Sequence, residues 1–98
     1  MPIARIGETQ AKPETIEPLR DFLLSIMPGI KSSKGCESVT LYQSQADPTK
    51  FTMIEIWDSA ESHRVSVQEI PAELLTKIRP LLGSAPTGTY YEPVHTED

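Results

Sequence analysis

The segment Phe51-Thr-Met-Ile-Glu-Ile-Trp-Asp58 constrains the fold more than any other part of the chain. Side chains of an extended strand alternate between faces. Thr52, Ile54 and Ile56 therefore share one side, while Phe51, Met53, Glu55 and Trp57 share the other. Both sides are largely apolar, so both need cover. The Ile54/Ile56 side suits a layer of helices. The Phe51/Met53/Trp57 side then lies beyond the helices' reach, and left in water it would form a larger apolar patch than monomers usually tolerate. Burying those three side chains stabilises by roughly 1.5–3 kcal/mol each. A second copy of the same sheet, related by a two-fold axis, is the simplest cover and predicts a homodimer.

The rest of the chain supplies the partners of this strand. Residues 3–11 read as a first strand ending at Lys12-Pro13. Ile16, Leu19, Leu23, Ile26 and Ile30 then recur at helical spacing, with Thr15 as the expected cap and Pro18 in the tolerated first turn. Pro28-Gly29 either kinks or ends this helix. Residues 36–45 form a second strand, and the turn-rich Ala46-Asp47-Pro48-Thr49-Lys50 joins it to strand 51–58 as a hairpin. Asp58 or Ser59 caps a second helix running to about Ile70. Pro71 restarts it, and Leu74, Leu75, Ile78, Leu81 and Leu82 carry an apolar stripe up to Gly83. Thr87 to Val94 make a fourth strand. The order β-α-β-β-α-β predicts an α+β, ferredoxin-like domain with a four-stranded antiparallel sheet and both helices on one face.

Ninety-eight residues allow one domain, spanning 1–98 with a core at about 3–94. The net charge is −5, and the nine basic residues are scattered, which excludes nucleic acid and anionic membrane surfaces as partners. The longest apolar run, Phe22-Leu23-Leu24, is far too short for a bilayer, and the N-terminus lacks a signal-peptide layout. Cys36 is the only cysteine, so no internal disulfide forms and a cytoplasmic setting is expected. No set of cysteines, histidines and carboxylates has metal-ligand spacing. Gly-rich phosphate loops, nucleophile elbows and Ser/His/Asp sets are also missing, so neither a nucleotide cofactor nor covalent hydrolysis is expected.

The phrase Phe51-Thr-Met-Ile-Glu55-Ile-Trp57-Asp-Ser59 resembles the third-strand signature of the antibiotic biosynthesis monooxygenase family of dimeric α/β barrels. Lys12-Pro13 after the first strand, Gly35-Cys36 before the second and Asp47-Pro48 in the hairpin turn resemble it too. The resemblance covers about residues 3 to 93. It implies the dimeric barrel fold, whose members include cofactor-free oxygenases of aromatic polyketides, haem-degrading oxygenases, a signal-molecule isomerase and proteins without known activity. Fold alone does not choose among these. Many members carry a histidine nine residues after the tryptophan, where this chain has Ser66; His63 falls three residues earlier. The chain contains no asparagine, so the asparagine–tryptophan–histidine set of the haem degraders is not assembled.

The candidate catalytic residues are Glu55 and His63. A carboxylate between Met53 and Trp57 must be paired, hydrogen-bonded or protonated. It serves either as a raised-pKa acid or base, or as a structural partner of a charge such as Arg5. His63, in the first turns of the second helix, is a proton shuttle or a half-exposed surface residue. Phe51, Met53, Trp57 and Tyr91 are the expected walls of a substrate pocket, with Trp57 as stacking surface; of the adjacent Tyr90 and Tyr91, one must face inward. Cys36 reads as a small apolar residue. The leading expectation is a cofactor-independent monooxygenase acting on a small aromatic or quinol-like metabolite, which itself supplies the electrons to dioxygen. The alternatives are an isomerase or tautomerase of a small metabolite, and a non-catalytic module that merely binds one.

Overall fold

In the computed structural model, which describes residues 1–98, each periodic segment becomes an element of the expected kind. Strand β1 spans Ile3–Gln10, and a 3-10 turn at Pro13–Thr15 leads into helix α1, Ile16–Ser32. Strands β2 (Cys36–Gln43) and β3 (Lys50–Trp57) form the hairpin. Helices α2 (Ala60–Gln68) and α3 (Ala72–Ile78) follow, a 3-10 turn at Arg79–Leu81 extends α3, and β4 spans Thr87–Tyr91. The sheet order is β2-β3-β1-β4 with every neighbouring pair antiparallel, which is the ferredoxin-like arrangement. No helix is long and apolar enough to cross a membrane.

Two local readings are refined. Helix α1 runs through Pro28-Gly29 to Ser32, so the proline neither ends it nor prevents another turn. Thr15 stands at the start of α1, but its hydroxyl does not cap that helix. It accepts from the Lys12 N–H (2.9 Å) and donates to the Leu81 carbonyl (2.7 Å), fastening the β1–α1 turn to the end of the α3 segment.

The two faces of β3 are the reverse of the expected ones. Phe51 and Met53 form the core with Leu19 and Leu23 of α1 and with Ala11, while Ile54 and Ile56 lie only half-buried on the side without helices. The register of the hairpin explains this. Met53 pairs with Leu41 and Glu55 with Val39, so the apolar residues of β2 add to the Phe51/Met53/Trp57 side. Opposite Ile54 and Ile56, β2 offers Thr40 and Ser38. Bulky aromatic and thioether side chains fill the deep space beneath the helices, and the smaller, partly polar set is left on the open face.

The start of α2 is held to the sheet by a short network. Ser59 caps the helix by accepting from the Ser62 N–H (3.2 Å), and Asp58 accepts from the Ser62 hydroxyl (2.6 Å). Asp58 also donates its N–H to the Gly35 carbonyl (2.8 Å). Gly35 has φ +92°, and a Cβ there would lie 2.6 Å from the Asp58 carboxylate and 2.7 Å from the Ser62 side chain. Only glycine suits that position. One turn beyond this anchor, His63 enters the space between α2 and the sheet.

Candidate functional site

Cross-strand pairing assembles a polar cluster beneath α2. Arg5 of β1 lies opposite Glu55 of β3 on one side and Tyr90 of β4 on the other. Directly paired residues share a face, so all three point towards the helices. His63 completes the group from above. Its Nδ1 shares a 2.7 Å hydrogen bond with the Tyr90 hydroxyl, and its Nε2 lies 4.0 Å from Glu55 Oε1. The same carboxylate oxygen accepts the Trp57 indole N–H at 2.9 Å. The imidazole stands edge-on to both aromatic rings, with centroids 5.4 Å from Trp57 and 5.4 Å from Tyr90. The consecutive β3 and α2 and the distant β4 thus contribute one line of proton-bearing groups, Tyr90–His63–Glu55, with Trp57 fixing its inner end.

Burial sets the charges. The His63 and Glu55 side chains are only 11% and 13% exposed. Burial pushes the Glu55 carboxyl above its ordinary range, against the opposing pull of the Trp57 hydrogen bond and Arg5. Burial, with Arg5 and Arg64 adding repulsion, pushes His63 down to about 4. His63 is therefore neutral at physiological pH, and its contact with Glu55 is a dipole contact rather than an ion pair. The tautomer with hydrogen on Nε2 serves both neighbours, aiming a donor at Glu55 and an acceptor at the Tyr90 hydroxyl. Cys36, paired with Trp57 at the end of β2, has its thiol pushed up by burial and then by Glu55, so it is no nucleophile. No three histidine, cysteine or acidic side chains converge as a metal-ligand set.

The structure brings Glu55, His63 and Trp57 together but separates the other expected residues. Trp57 is 0% exposed, so neither face of its ring is free to stack on a ligand; what it offers the site is its N–H. Phe51 and Met53 lie further along β3 in the core under α1. Tyr91 is on the opposite face of the sheet and 52% exposed, where it lines a shallow apolar cleft of about 210 Å³ with Ala4 and Ile56. Tyr90 takes the place expected of Tyr91, because the β1–β4 register pairs Arg5 with Tyr90. A second, more polar cleft of about 230 Å³ lies at the other end of β1, near Glu8 and Thr87, away from the cluster. Arg64 is the member that sequence reasoning did not place in the site; Arg5 was expected only as a charge partner of Glu55, and Tyr90 only as one of an adjacent pair. The Arg5 and Arg64 guanidinium carbons lie 5.1 and 5.2 Å from the centroid of the Tyr90 ring.

Comparison with known proteins agrees with this architecture. The family model described as antibiotic biosynthesis monooxygenase matches residues 2–69, which include Arg5, Glu55, Trp57 and His63. Among solved structures, the chain is similar to a protein from Chloroflexus aurantiacus provisionally named as an antibiotic biosynthesis monooxygenase. That likeness has 29% identity and a TM-score of 0.75, and covers 100% of this chain and 98% of the other. It is also similar to a Nitrosomonas europaea protein with the same provisional name (15% identity, TM-score 0.84, 95% and 99% covered). A third likeness is to Rv0793 from Mycobacterium tuberculosis (20% identity, TM-score 0.79, 100% of both chains). The last two, at such low identity, speak for the fold alone. A search of curated proteins finds no match. With more than half of its length matched by the family model, including three of the four elements that build the polar cluster, the chain belongs to the antibiotic biosynthesis monooxygenase family.

Proposed function

We propose that this protein is a cofactor-independent monooxygenase of a small aromatic or quinol-like compound, working in the cytoplasm as a homodimer. The observation that carries the reading is the buried line Tyr90–His63–Glu55, with its 2.7 and 4.0 Å contacts. A phenol that reacts through its keto methylene form needs one proton removed before its carbanion can pass electrons to dioxygen. Glu55, with its affinity for a proton raised by burial, is the acceptor. The Tyr90 oxygen takes the substrate proton as its own hydrogen passes to His63 Nδ1, and neutral His63 hands its Nε2 hydrogen to Glu55 across the 4.0 Å gap. The reaction balances without an external reductant. Both C–H bonds of the methylene break, a carbonyl forms with one atom of dioxygen, and the other atom leaves as water with the two hydrogens. The carbon supplies all four electrons. The substrate enters between α2 and the edge strand β4, where Arg64 is 57% exposed.

The dimer forms through the open face. Ile6 pairs with Ile54 and Ala4 with Ile56, making an apolar strip that no helix covers. A second sheet closes such a strip in a barrel-like arrangement.

Oxygen uptake with a panel of hydroquinones and polyphenols, followed by mass analysis of products made under isotopically heavy dioxygen, tests the reaction. The proposal expects one dioxygen consumed per product and one labelled oxygen atom retained. Exchange of a substrate C–H with solvent deuterium without oxygen uptake would instead make the protein an isomerase or tautomerase. Binding without either reaction would make it a binding module.

A further inference from the structure

Arg5 is a half-buried cation that the fold accommodates at some cost to the strand beside it. It lies against Gly88 of β4, where any Cβ would collide with the guanidinium. A glycine inside an edge strand weakens that strand, and here it leaves space for the arginine. The four ion pairs of the chain involve Arg20, His63, Arg64 and His95, so Arg5 has no carboxylate oxygen within 4.0 Å. Its nearest acidic neighbour by strand pairing is Glu55, which itself bonds to Trp57. Arg64 approaches the same Tyr90 ring from α2. Its one partner, Glu61, is 3.7 Å away and 76% exposed, a loose surface contact of little energetic weight. Two guanidinium groups with unspent donors therefore stand 5.1 and 5.2 Å from the centroid of one tyrosine ring, in a chain whose net charge is −5.

We propose that this pair of arginines is an anion-binding subsite and that the substrate is a hydroquinone-type aromatic bearing a carboxylate, gripped by Arg5 and Arg64. The planar guanidinium fork matches a carboxylate in two parallel hydrogen bonds, and partial burial strengthens each of them. A phosphate is the poorer fit. The start of α2, which would normally seat it, has its Ser62 N–H answered by Ser59 and carries the Asp58 carboxylate beside it. With the carboxylate held over Tyr90, the ring of the substrate is directed at the Tyr90 hydroxyl and His63. The inference rests on this cluster being the active site.

The test compares 1,4-dihydroxynaphthalene with 1,4-dihydroxynaphthalene-2-carboxylate by anaerobic titration calorimetry on the full chain. The wild-type protein should bind the carboxylate at least about 10-fold more tightly, the scale of a charge-assisted bidentate contact. Arg5→Gln should reduce that preference to within about 2-fold, and Arg5→Lys, which keeps the charge but not the fork, should fall between. Arg64→Gln, on an exposed helix position, gives an independent loss of preference if the Arg5 variants do not fold. Equal affinity for the two compounds, no binding of the carboxylate at millimolar concentration, or a preference untouched by Arg5→Gln and Arg64→Gln would overturn the subsite. Oxygen uptake on the same pair separates this inference from the monooxygenase reading. An arginine-dependent preference without oxygen uptake keeps the subsite and removes the oxygenase. Oxygen uptake with no preference does the opposite.

Discussion

At the scale of single residues, Glu55 is a carboxyl group that the fold does not favour charged. Glu55 has its pKa raised in the folded protein, first by burial, so the fold favours its protonated form. That contribution is fully present below the ordinary value of 4.5 and is lost as pH rises through the higher folded value. Glu55→Gln keeps an acceptor for the Trp57 N–H and removes the charge. Its urea midpoint at pH 7 should therefore exceed that of the wild type, with the gain disappearing at pH 4.5. Its turnover should fall by about 10² or more, the scale of a lost general base. The two tyrosines give a sharper residue-level comparison. Tyr90→Phe removes the only hydroxyl bonded to the His63 ring and should lower kcat by roughly 10-fold or more, whereas Tyr91→Phe, on the other face, should leave it within about 2-fold. The sequence made Glu55 and His63 legible because a carboxylate in an apolar strand and a histidine one turn into the next helix are visible without coordinates. Arg5 could be offered only as one possible partner of Glu55, and Tyr90 could not be told from Tyr91, because both depend on the β1–β3 and β1–β4 registers, which alternation within one strand cannot supply.

At the scale of elements, the strand order and every helix could be read from periodicity, while the direction in which β3 faces could not be read from β3 alone. Both of its faces are apolar, and the deciding information lay in its hairpin partner. Val39 and Leu41 fall on the Phe51/Met53/Trp57 side, and Ser38 and Thr40 on the Ile54/Ile56 side. Summing hydrophobicity across the paired register would have picked the helix face correctly. The misplacement of Trp57 as an open stacking wall follows from that single error of side. A second element-level dependence is the loop before β2. Gly35→Ala places a side chain at φ +92° and against Asp58 and Ser62. Urea denaturation should show a loss of about 1–3 kcal/mol, the usual cost of forcing an ordinary residue into that region. The variant should also lose activity beyond what its folded fraction explains, because the same contact orients α2 and hence His63.

At the scale of the whole molecule, the sheet separates two tasks. One face packs against helices and builds the polar cluster; the other carries Ala4, Ile6, Ile54 and Ile56, the strip through which we propose the dimer forms. Light scattering at micromolar concentration should give twice the chain mass of 10.9 kDa, and Ile54→Lys should shift it towards the single mass. A wild-type monomer would refute the dimer while leaving the cluster intact, since none of its contacts crosses that face. The central claim is that the fold joins β3, α2 and β4 into one proton-handling unit around a neutral histidine. The most direct test is an NMR titration of the His63 ring nitrogens, with the other histidine assigned by its persistence in His63→Gln. His63 has its pKa lowered, so its favourable contribution to stability is present above 6.5 and is lost as pH falls towards about 4. The ring should stay neutral down to about pH 5, with Nε2 carrying the hydrogen, and its nitrogen shifts should respond to both Tyr90→Phe and Glu55→Gln. A His63 that titrates near 6.5 and ignores both substitutions would contradict it.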